Sequence, residues 1–455
     1  MRRLALLAAA ISACWRPAPF PPSEPIAASP PPAPTGNPVG ERPSVILIVV
    51  DTLRADHLSP WGHARDTSPA LTKLAAGAVR YARAHAAAPW TKPSIAAILT
   101  SNYPSQLGLT DKSAAIPAKA RLLSESFSEA GYRTGAVISH TYLGSRYGFN
   151  QGYDTFNERN VEGEMSSPSR GVTDDALAFI DEHAPQGPFF LLVHYFDPHF
   201  AYLKREGFPF SEEEGYKGPI QSGIPYGKMR ELVEHLNPAD VDELLRLYDT
   251  EIAATDRALG RLFDRVLQDP ALSDTMIVVT ADHGEEFLDH GRWGHTTRLY
   301  QELIHVPLII RFPDGRAGVV EQPVSNIDIL PTVLSAVHLP IPKMAQGLNL
   351  ADPVPADHPV FAETASDFRK DAIVVGNRKL VFDRDEHNWQ LFDLGADPGE
   401  QKNLFDHRRA EAAALRDQLE AWQARVREGK TLKGAEVKLS KDERQALERL
   451  GYVDP

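Results

Sequence analysis

The chain has 455 residues, of which 42% are hydrophobic and 24% charged, enough apolar material for a sizeable folded core. Its formal net charge of −13 excludes the basic stripe of a nucleic-acid-binding surface and serves solubility. The single cysteine, Cys14, excludes an intrachain disulfide.

The first segment, "MRRLALLAAAISAC", starts with Arg2 and Arg3 and is apolar from Leu4 to Ile11. That run is too short to span a bilayer and suits a signal peptide. Cys14 directly follows the small residues of "ISA", as in a bacterial lipoprotein cleavage box, after which the cysteine would carry lipid. An ordinary secretory peptide with an idle Cys14 is the alternative. The Pro- and Ala-rich stretch up to residue 43 cannot bury enough surface to fold, and an extended tether is expected. The expected divisions are a leader at 1–13, a tether at 14–43, an α/β domain at 44–354 and a C-terminal part at 355–455.

The folded part opens with "SVILIVVD". Residues 44–50 form the continuous apolar run of a strand covered on both faces, ending at Asp51. Helical spacing of Leu71, Leu74, Ala75 and Ala78 predicts a helix over 70–81. In "AAPWTKPSIAAILTSNYPS" (87–105), Pro93 and the apolar Ile95, Ile98 and Leu99 predict a helix start with Thr91 near the N-cap. A helix over 121–131 ends at a capping glycine. Strands follow at "TGAVISH" (134–140), ending at Ser139 and His140, and at "PFFLLVHYFDPH" (188–199), leading to His194, Asp197 and His199. A long amphipathic helix is expected over 240–268, then strands at "TMIVVTADHGEE" (275–286) and "VPLIIRF" (306–312). Strands alternating with helices predict a mostly parallel sheet with helices on both faces. The texture changes after about residue 355. Residues 372–394 carry two or three short strands of a small antiparallel subdomain, and 410–428 a helix.

In sheets of this kind ligands bind beyond the carboxyl ends of strands, where Asp51, His199, Asp282 and His283 fall. Adjacent Asp282 and His283, with Gly284 allowing a sharp turn, can reach one metal ion, and Asp51 supplies a second carboxylate. Oxygen and nitrogen donors without thiolate suit Mg, Mn, Ca or Zn. Thr91 at a helix N-terminus has free N–H groups and a positive dipole end beside it, a setting for a tetrahedral oxyanion. Beside a divalent cation its hydroxyl would have a lowered pKa and become a nucleophile; away from one it would only cap the helix.

The ordered set "VVDTLRADHL", "WTKPSIAAILTSNYPS", "FFLLVHYFDPHFAY", "DHGEEFLDHGRWGH", "LIHVPLIIRFP" and "QLFDLGADPGEQKNL", over about residues 44–405, resembles the sulfatase branch of the alkaline phosphatase superfamily. The resemblance implies an alkaline-phosphatase-like α/β core and hydrolysis or transfer of phosphate or sulfate esters. One divalent metal rather than two is expected. It implies Asp51, Asp282, His283 and Thr91 as metal ligands and Thr91 as the nucleophile. His199, His290 and His295 are implied as candidates for binding the anion or protonating the leaving group.

Two departures matter. Sulfatases carry Cys or Ser at the nucleophile, as in C-x-P-S-R, with an Arg four residues on; here these positions are Thr91 and Ile95. The first strand usually ends Asp-Asp; here it ends Asp51-Thr52. Sulfatases oxidise their Cys or Ser to formylglycine, which threonine cannot become because its Cβ already bears a methyl group. The expected activity is therefore a metal-dependent attack on phosphate esters by Thr91. A sulfuric ester hydrolase working without formylglycine and a non-catalytic glycan-binding lipoprotein are the rivals. The partner is a small-molecule, glycan or lipid ester; membrane contact is expected only through the lipid on Cys14.

Overall fold

A computed structural model describes residues 42–161, 169–208, 210, 215–366, 368–428 and 431–449. The leader, Cys14 and all but the last two tether residues lie outside these. Fourteen strands follow in chain order among the described residues. They are β1 (Val45–Val50), β2 (Val79–His85), β3 (Arg133–Val137), β4 (Thr155–Asn157), β5 (Phe189–Tyr195), β6 (Met276–Ala281), β7 (Glu286–Phe287) and β8 (Trp293–Gly294). After these come β9 (His305–Arg311), β10 (Gly318–Ser325), β11 (Val360–Glu363), β12 (Lys370–Val375), β13 (Arg378–Asp383) and β14 (Asn388–Asp393).

Eight of them form one sheet in the order β10-β2-β9-β6-β1-β5-β3-β4. β1 lies near its middle, parallel to both β5 and β6. Every residue of β1 is fully buried, as its unbroken "VILIVV" requires of a strand covered on two faces. Each such side chain contributes roughly 2 kcal/mol of transfer free energy. The expected parallel sheet has one reversed member: β9, "HVPLIIR", runs antiparallel to both β2 and β6. An apolar run specifies burial on both faces but not direction.

Two further differences concern the sheet edge. The helix expected over 70–81 covers only Pro69–Ala75; after Gly77 the chain becomes β2, whose residues alternate in part between buried and half-buried. The apolar spacing up to Ala75 is helical, and "VRYARAH" beyond it carries the period of a strand. β10 was not expected at all. It is an edge strand with polar Glu321 and Gln322 and a register break before Pro323, so it lacks the apolar run that marks central strands.

The other expected helices lie close to expectation, at Leu123–Glu129, Pro238–Leu267 and Arg409–Glu428, and a helix that was not expected spans Ser169–His183. The small C-terminal sheet is antiparallel in the order β11-β12-β13-β14, one strand more than the 372–394 pattern suggests. Gln423 of the last-named helix donates to Asp371 of β12, and Trp422 stacks on Phe361 of β11, seating that helix on the sheet. No described helix is long and apolar enough to cross a membrane.

Candidate active site

The site follows from register. Val50 pairs with both Ala281 and Tyr195, so β1, β5 and β6 end level at the same edge. The next residues, Asp51 and Asp282, are therefore neighbours although 231 positions apart in sequence. Ligand atoms of Asp51, Asp282 and His283 all lie within 4.8 Å of one another, and all three residues are fully buried.

The tautomer of His283 is set locally. Its Nδ1 donates to the Gly284 carbonyl at 2.8 Å, which leaves Nε2 as a bare lone pair. Nε2 faces Asp51 Oδ1 at 3.5 Å and Asp282 Oδ2 at 3.4 Å. Asp282 Oδ1 accepts from the amides of Thr52 and His283, while Oδ2 has no hydrogen-bond partner. Burial pushes the Asp282 carboxyl up to about 7, against those amide bonds. Burial likewise pushes His283 well down, so its imidazole is neutral. Two carboxylates and a bare imidazole nitrogen converging in a dry site fit a divalent cation, which would relieve this cost. His194, at the end of β5, adds its Nε2 at 3.6 Å from Asp51 Oδ2.

Thr91 begins the helix Thr91–Thr100, but Trp90, not Thr91, is the N-cap, and no side chain caps it. The Thr91 hydroxyl instead lies 3.4 Å from His283 Nε2, to which it can donate. The threonine is fully buried. The helix is docked by Ser94, whose hydroxyl donates to the Asp282 carbonyl at 2.6 Å and accepts from Asn326 Nδ2 at 3.0 Å. Lys92 is buried too. Its ammonium donates to the carbonyls of Lys112 and Ala114 and lies 4.9–5.7 Å from the rings of Trp90, Tyr142 and Tyr147. Burial pushes that ammonium down to about 7. Ile95 is buried in the core.

Two of the three expected histidines stand at this cluster. The His295 ring centroid is 4.5 Å from that of His283 and 5.2 Å from that of His199. The backbone N–H of Thr296 donates to the Pro89 carbonyl, tying this loop to the one that leads into Thr91. His199 donates from Nδ1 to the Phe200 carbonyl at 2.9 Å, and burial pushes its pKa down to about 4. His295 donates from Nδ1 to Glu285 Oε1 at 2.8 Å.

His290 is placed elsewhere. It donates to Glu302 at 2.6 Å, its other nitrogen faces the Glu400 carbonyl at 3.3 Å, and its ring stacks on Tyr300 at 3.6 Å. Its partners among the described residues are these, and not Thr91 or the three-residue cluster, so its surroundings do not offer the anion-binding or proton-donating role expected of it. The β7–β8 ribbon pairs Glu286 with Gly294 and turns the intervening loop, sending His290 and His295 to different neighbours. Sequence reasoning assigned no role to Glu285, Lys92, Ser94 or Asn326. Glu285, two residues past His283, and Ser94, the serine of the C-x-P-S-R pattern, carried a local signal; Asn326 carried none.

The sulfatase family model matches residues 43–339, about two thirds of the chain. The chain belongs to the sulfatase family. A second match, to the C-terminal region of N-sulphoglucosamine sulphohydrolase, covers residues 289–427. This sulfatase-family chain is 23% identical to an N-acetylglucosamine-6-O-sulfatase of Bacteroides thetaiotaomicron, over 80% of this chain and 83% of that protein. It is 24% identical to a choline-sulfatase of Rhizobium meliloti, over 85% and 89%. Its fold superposes on a phosphonate monoester hydrolase from Silicibacter pomeroyi with a TM-score of 0.69 and 22% identity, over 84% of this chain and 96% of that one. The family's members are metal-dependent hydrolases of the alkaline phosphatase superfamily, and the Asp51–Asp282–His283 cluster is one that could hold a metal ion.

Proposed function

We propose that this chain is a metal-dependent phosphoester hydrolase or transferase whose nucleophile is Thr91. The observation that carries the proposal is the buried Thr91 hydroxyl, 3.4 Å from the bare Nε2 of His283, at the edge of a cluster of acceptors. A divalent cation held by Asp51, Asp282, His283 and Thr91 would acidify the hydroxyl and neutralise the ester's anionic oxygens.

The chain's own groups then divide the work. Thr91 Oγ1 attacks phosphorus in line, the bond from phosphorus to the leaving oxygen breaks, and phosphothreonine forms. The Thr91 proton passes to solvent, and the leaving oxygen takes one from solvent on the side lined by His199 and His295. Water, or an acceptor alcohol in a transferase, then attacks phosphorus from that side, loses its proton to solvent and restores Thr91. Sulfur chemistry lacks this second step: threonine sulfate cannot collapse to an aldehyde as a sulfated formylglycine hydrate does. The phosphonate monoester hydrolase neighbour supports phosphorus chemistry on this scaffold. The N-acetylglucosamine-6-O-sulfatase and choline-sulfatase relatives favour the other reading, a sulfuric ester hydrolase, and with it a glycan or small-molecule ester as substrate.

A screen of phosphodiesters, phosphonates, phosphomonoesters and aryl sulfates decides between the two, with mass spectrometry of quenched turnover. Phosphate on an otherwise unmodified Thr91 is expected; sulfate release without phosphate release would overturn the proposal. We also assign the folded domain to the outer side of a membrane, held by lipid on Cys14. Cys14→Ser should abolish lipid labelling, and labelling that survives would refute the anchor.

A further inference from the structure

The residue after Thr91 is held by a part of the chain that the site does not otherwise use. Lys92 is fully buried, and a buried ammonium is costly unless it is hydrogen-bonded. It donates to the carbonyls of Lys112 at 2.7 Å and Ala114 at 2.8 Å. The rings of Tyr142 and Tyr147 lie 5.1 and 4.9 Å from it. The helix that Thr91 begins is therefore docked at two points. Ser94 bonds it to the Asp282 carbonyl, and Lys92 bonds it to the 112–114 loop.

That loop has no helix or strand of its own, and Asp111 and Lys112 are exposed. The C-terminal segment 431–439 straps it down. The Ala115 amide donates to the Ala435 carbonyl at 2.9 Å, and the Val437 amide donates to the Ser113 carbonyl at 2.8 Å. Between them Ala114 and Glu436 face each other as an antiparallel bridge. The Leu432 amide donates to the Gln106 carbonyl at 2.9 Å. Beyond the strap, the helix Lys441–Arg449 packs on the turn Thr141–Leu143, which carries Tyr142, and its Leu447 is fully buried. The same stretch of chain thus secures both carbonyls and one ring around Lys92. The two family matches end at residues 339 and 427, before it begins.

The consequence for the site follows from adjacency. If the loop lifts, the ammonium loses both acceptors and must follow them or reach water. Thr91 is its neighbour in the first helical turn, so that movement carries Thr91 Oγ1 away from His283 Nε2, which lies 3.4 Å from it. We propose that Lys92 is a positioning residue for Thr91, and that the C-terminal strap acts on the nucleophile through it. The kinetic part of this inference rests on Thr91 as nucleophile; the placement part does not.

The test uses point variants of the full chain. Lys92→Met keeps an unbranched side chain among the rings and removes the donors. Gly434→Ala acts from the other end: a Cβ there would meet the Ala115 carbonyl oxygen at 1.8 Å, so strap and loop must separate. It leaves Lys92 in place and decides the matter even where Lys92→Met does not fold. Leu419→Ala, a cavity under the helix Arg409–Glu428, controls for lost stability alone.

The first arm is amide exchange read by mass spectrometry, without substrate. The Ser94 amide donates to the Trp90 carbonyl at 3.3 Å. Exchange over 94–97 should quicken about tenfold in Lys92→Met and Gly434→Ala, with β1 and β6 unchanged. Lys92 should resist acetylation in the wild type and become reactive in Gly434→Ala. The second arm is turnover. Lys92→Met should lower kcat on the order of 10²-fold with little change in KM, the effect of a small displacement of a reacting group. Gly434→Ala should show the same split to a smaller degree, and Leu419→Ala should lower Tm with kcat unchanged. Unaltered exchange over 94–97 in both Lys92→Met and Gly434→Ala overturns the proposal, as does a Leu419→Ala variant that loses as much kcat. Lys92 still unreactive in Gly434→Ala refutes the strap. Absence of phosphoester turnover in the wild type would defeat the functional reading alone, and the exchange data would still decide the role of Lys92.

Discussion

Two buried aspartates, Asp282 and Asp249, sit in three-residue clusters of aspartate and histidine and behave oppositely. Each joins histidine and carboxylate atoms lying within 4.8 Å of one another: Asp51, Asp282 and His283 in one, His57, His63 and Asp249 in the other. Around Asp249 every nearby group is a donor. His57 Nδ1 lies at 2.6 Å, His63 Nε2 at 2.9 Å and Arg65 at 2.6 Å. Burial works to raise its pKa, but the two histidines outweigh it and hold the carboxyl well below the usual range. Around Asp282 the side-chain neighbours are acceptors, Oδ2 is unpartnered, and burial pushes the carboxyl up to about 7. A list of residue types does not make a metal site. What makes one is a set of lone pairs with no cation of the protein's own among them. The guanidinium of Arg65 already fills that place at Asp249. The third such group, Glu286, His290 and Glu302, is filled in the same way by Arg298, at 3.4 Å from Glu286.

The largest effect expected from breaking this comparison is on turnover. Thr91→Ala should reduce it on the order of 10⁴-fold or more while the far-ultraviolet spectrum stays native. Thr91→Ser should keep substantial activity, since only the methyl group is lost. Wild-type turnover in the alanine variant would remove Thr91 from the chemistry.

On stability the order reverses. Asp249→Ala strands buried His57 and unpairs the half-buried His63 and the more exposed Arg65, and should cost about 3 kcal/mol in urea unfolding. Its cation content, measured by atomic emission, should not change; loss of bound metal would make the Asp249 cluster a metal site after all. The pH dependence has a definite sign. The folded pKa of Asp249 is depressed, so its contribution is present above the unfolded value near 4 and disappears as pH falls below it. Asp249→Asn should flatten the acid limb of the stability profile, and an unchanged limb would place the acid sensitivity elsewhere.

Cation binding sharpens the other half of the comparison. Manganese or zinc at roughly 100 times its Kd should stabilise the folded chain by about 3 kcal/mol. In the metal-free protein the raised Asp282 pKa predicts the opposite slope to Asp249: stability is greatest below about pH 4 and falls as pH rises toward 7. Asp282→Asn should abolish both the cation shift and that slope. Equal stabilisation of Asp282→Asn by the cation would refute this ligand.

The smallest effect concerns His290. Burial opposes its protonation, but the bonds to Glu302 and Glu400 prevail and raise its pKa. Its contribution is therefore complete below about pH 6.5 and is lost as pH rises through the folded value. His290→Gln should remove that slope in thermal unfolding and leave kcat within a few-fold of wild type. A kcat loss as large as that of His295→Gln would return His290 to the reaction.

Strand ends and their polar successors were legible in the chain because burial on two faces demands unbroken apolar runs. "VILIVV" before Asp51 and "MIVVTA" before Asp282 each announce a central strand with a polar group at its end. The threonine at position 91 also excludes formylglycine there, since its Cβ bears a methyl group whatever the fold. What no local pattern contains is the pairing of partners far apart in sequence. The reversal of β9, the level ends of β1 and β6, and the 2.8 Å bond from His295 to Glu285 each depend on which segments meet. His290 and His295 are five residues apart in one loop, chemically identical, and separated only by the turn of the β7–β8 ribbon. Asp249 and Asp282 are likewise the same residue in the sequence; the tertiary structure alone decided that one meets an arginine and the other two acceptors, because the sign of a buried charge's energy is set by its neighbours.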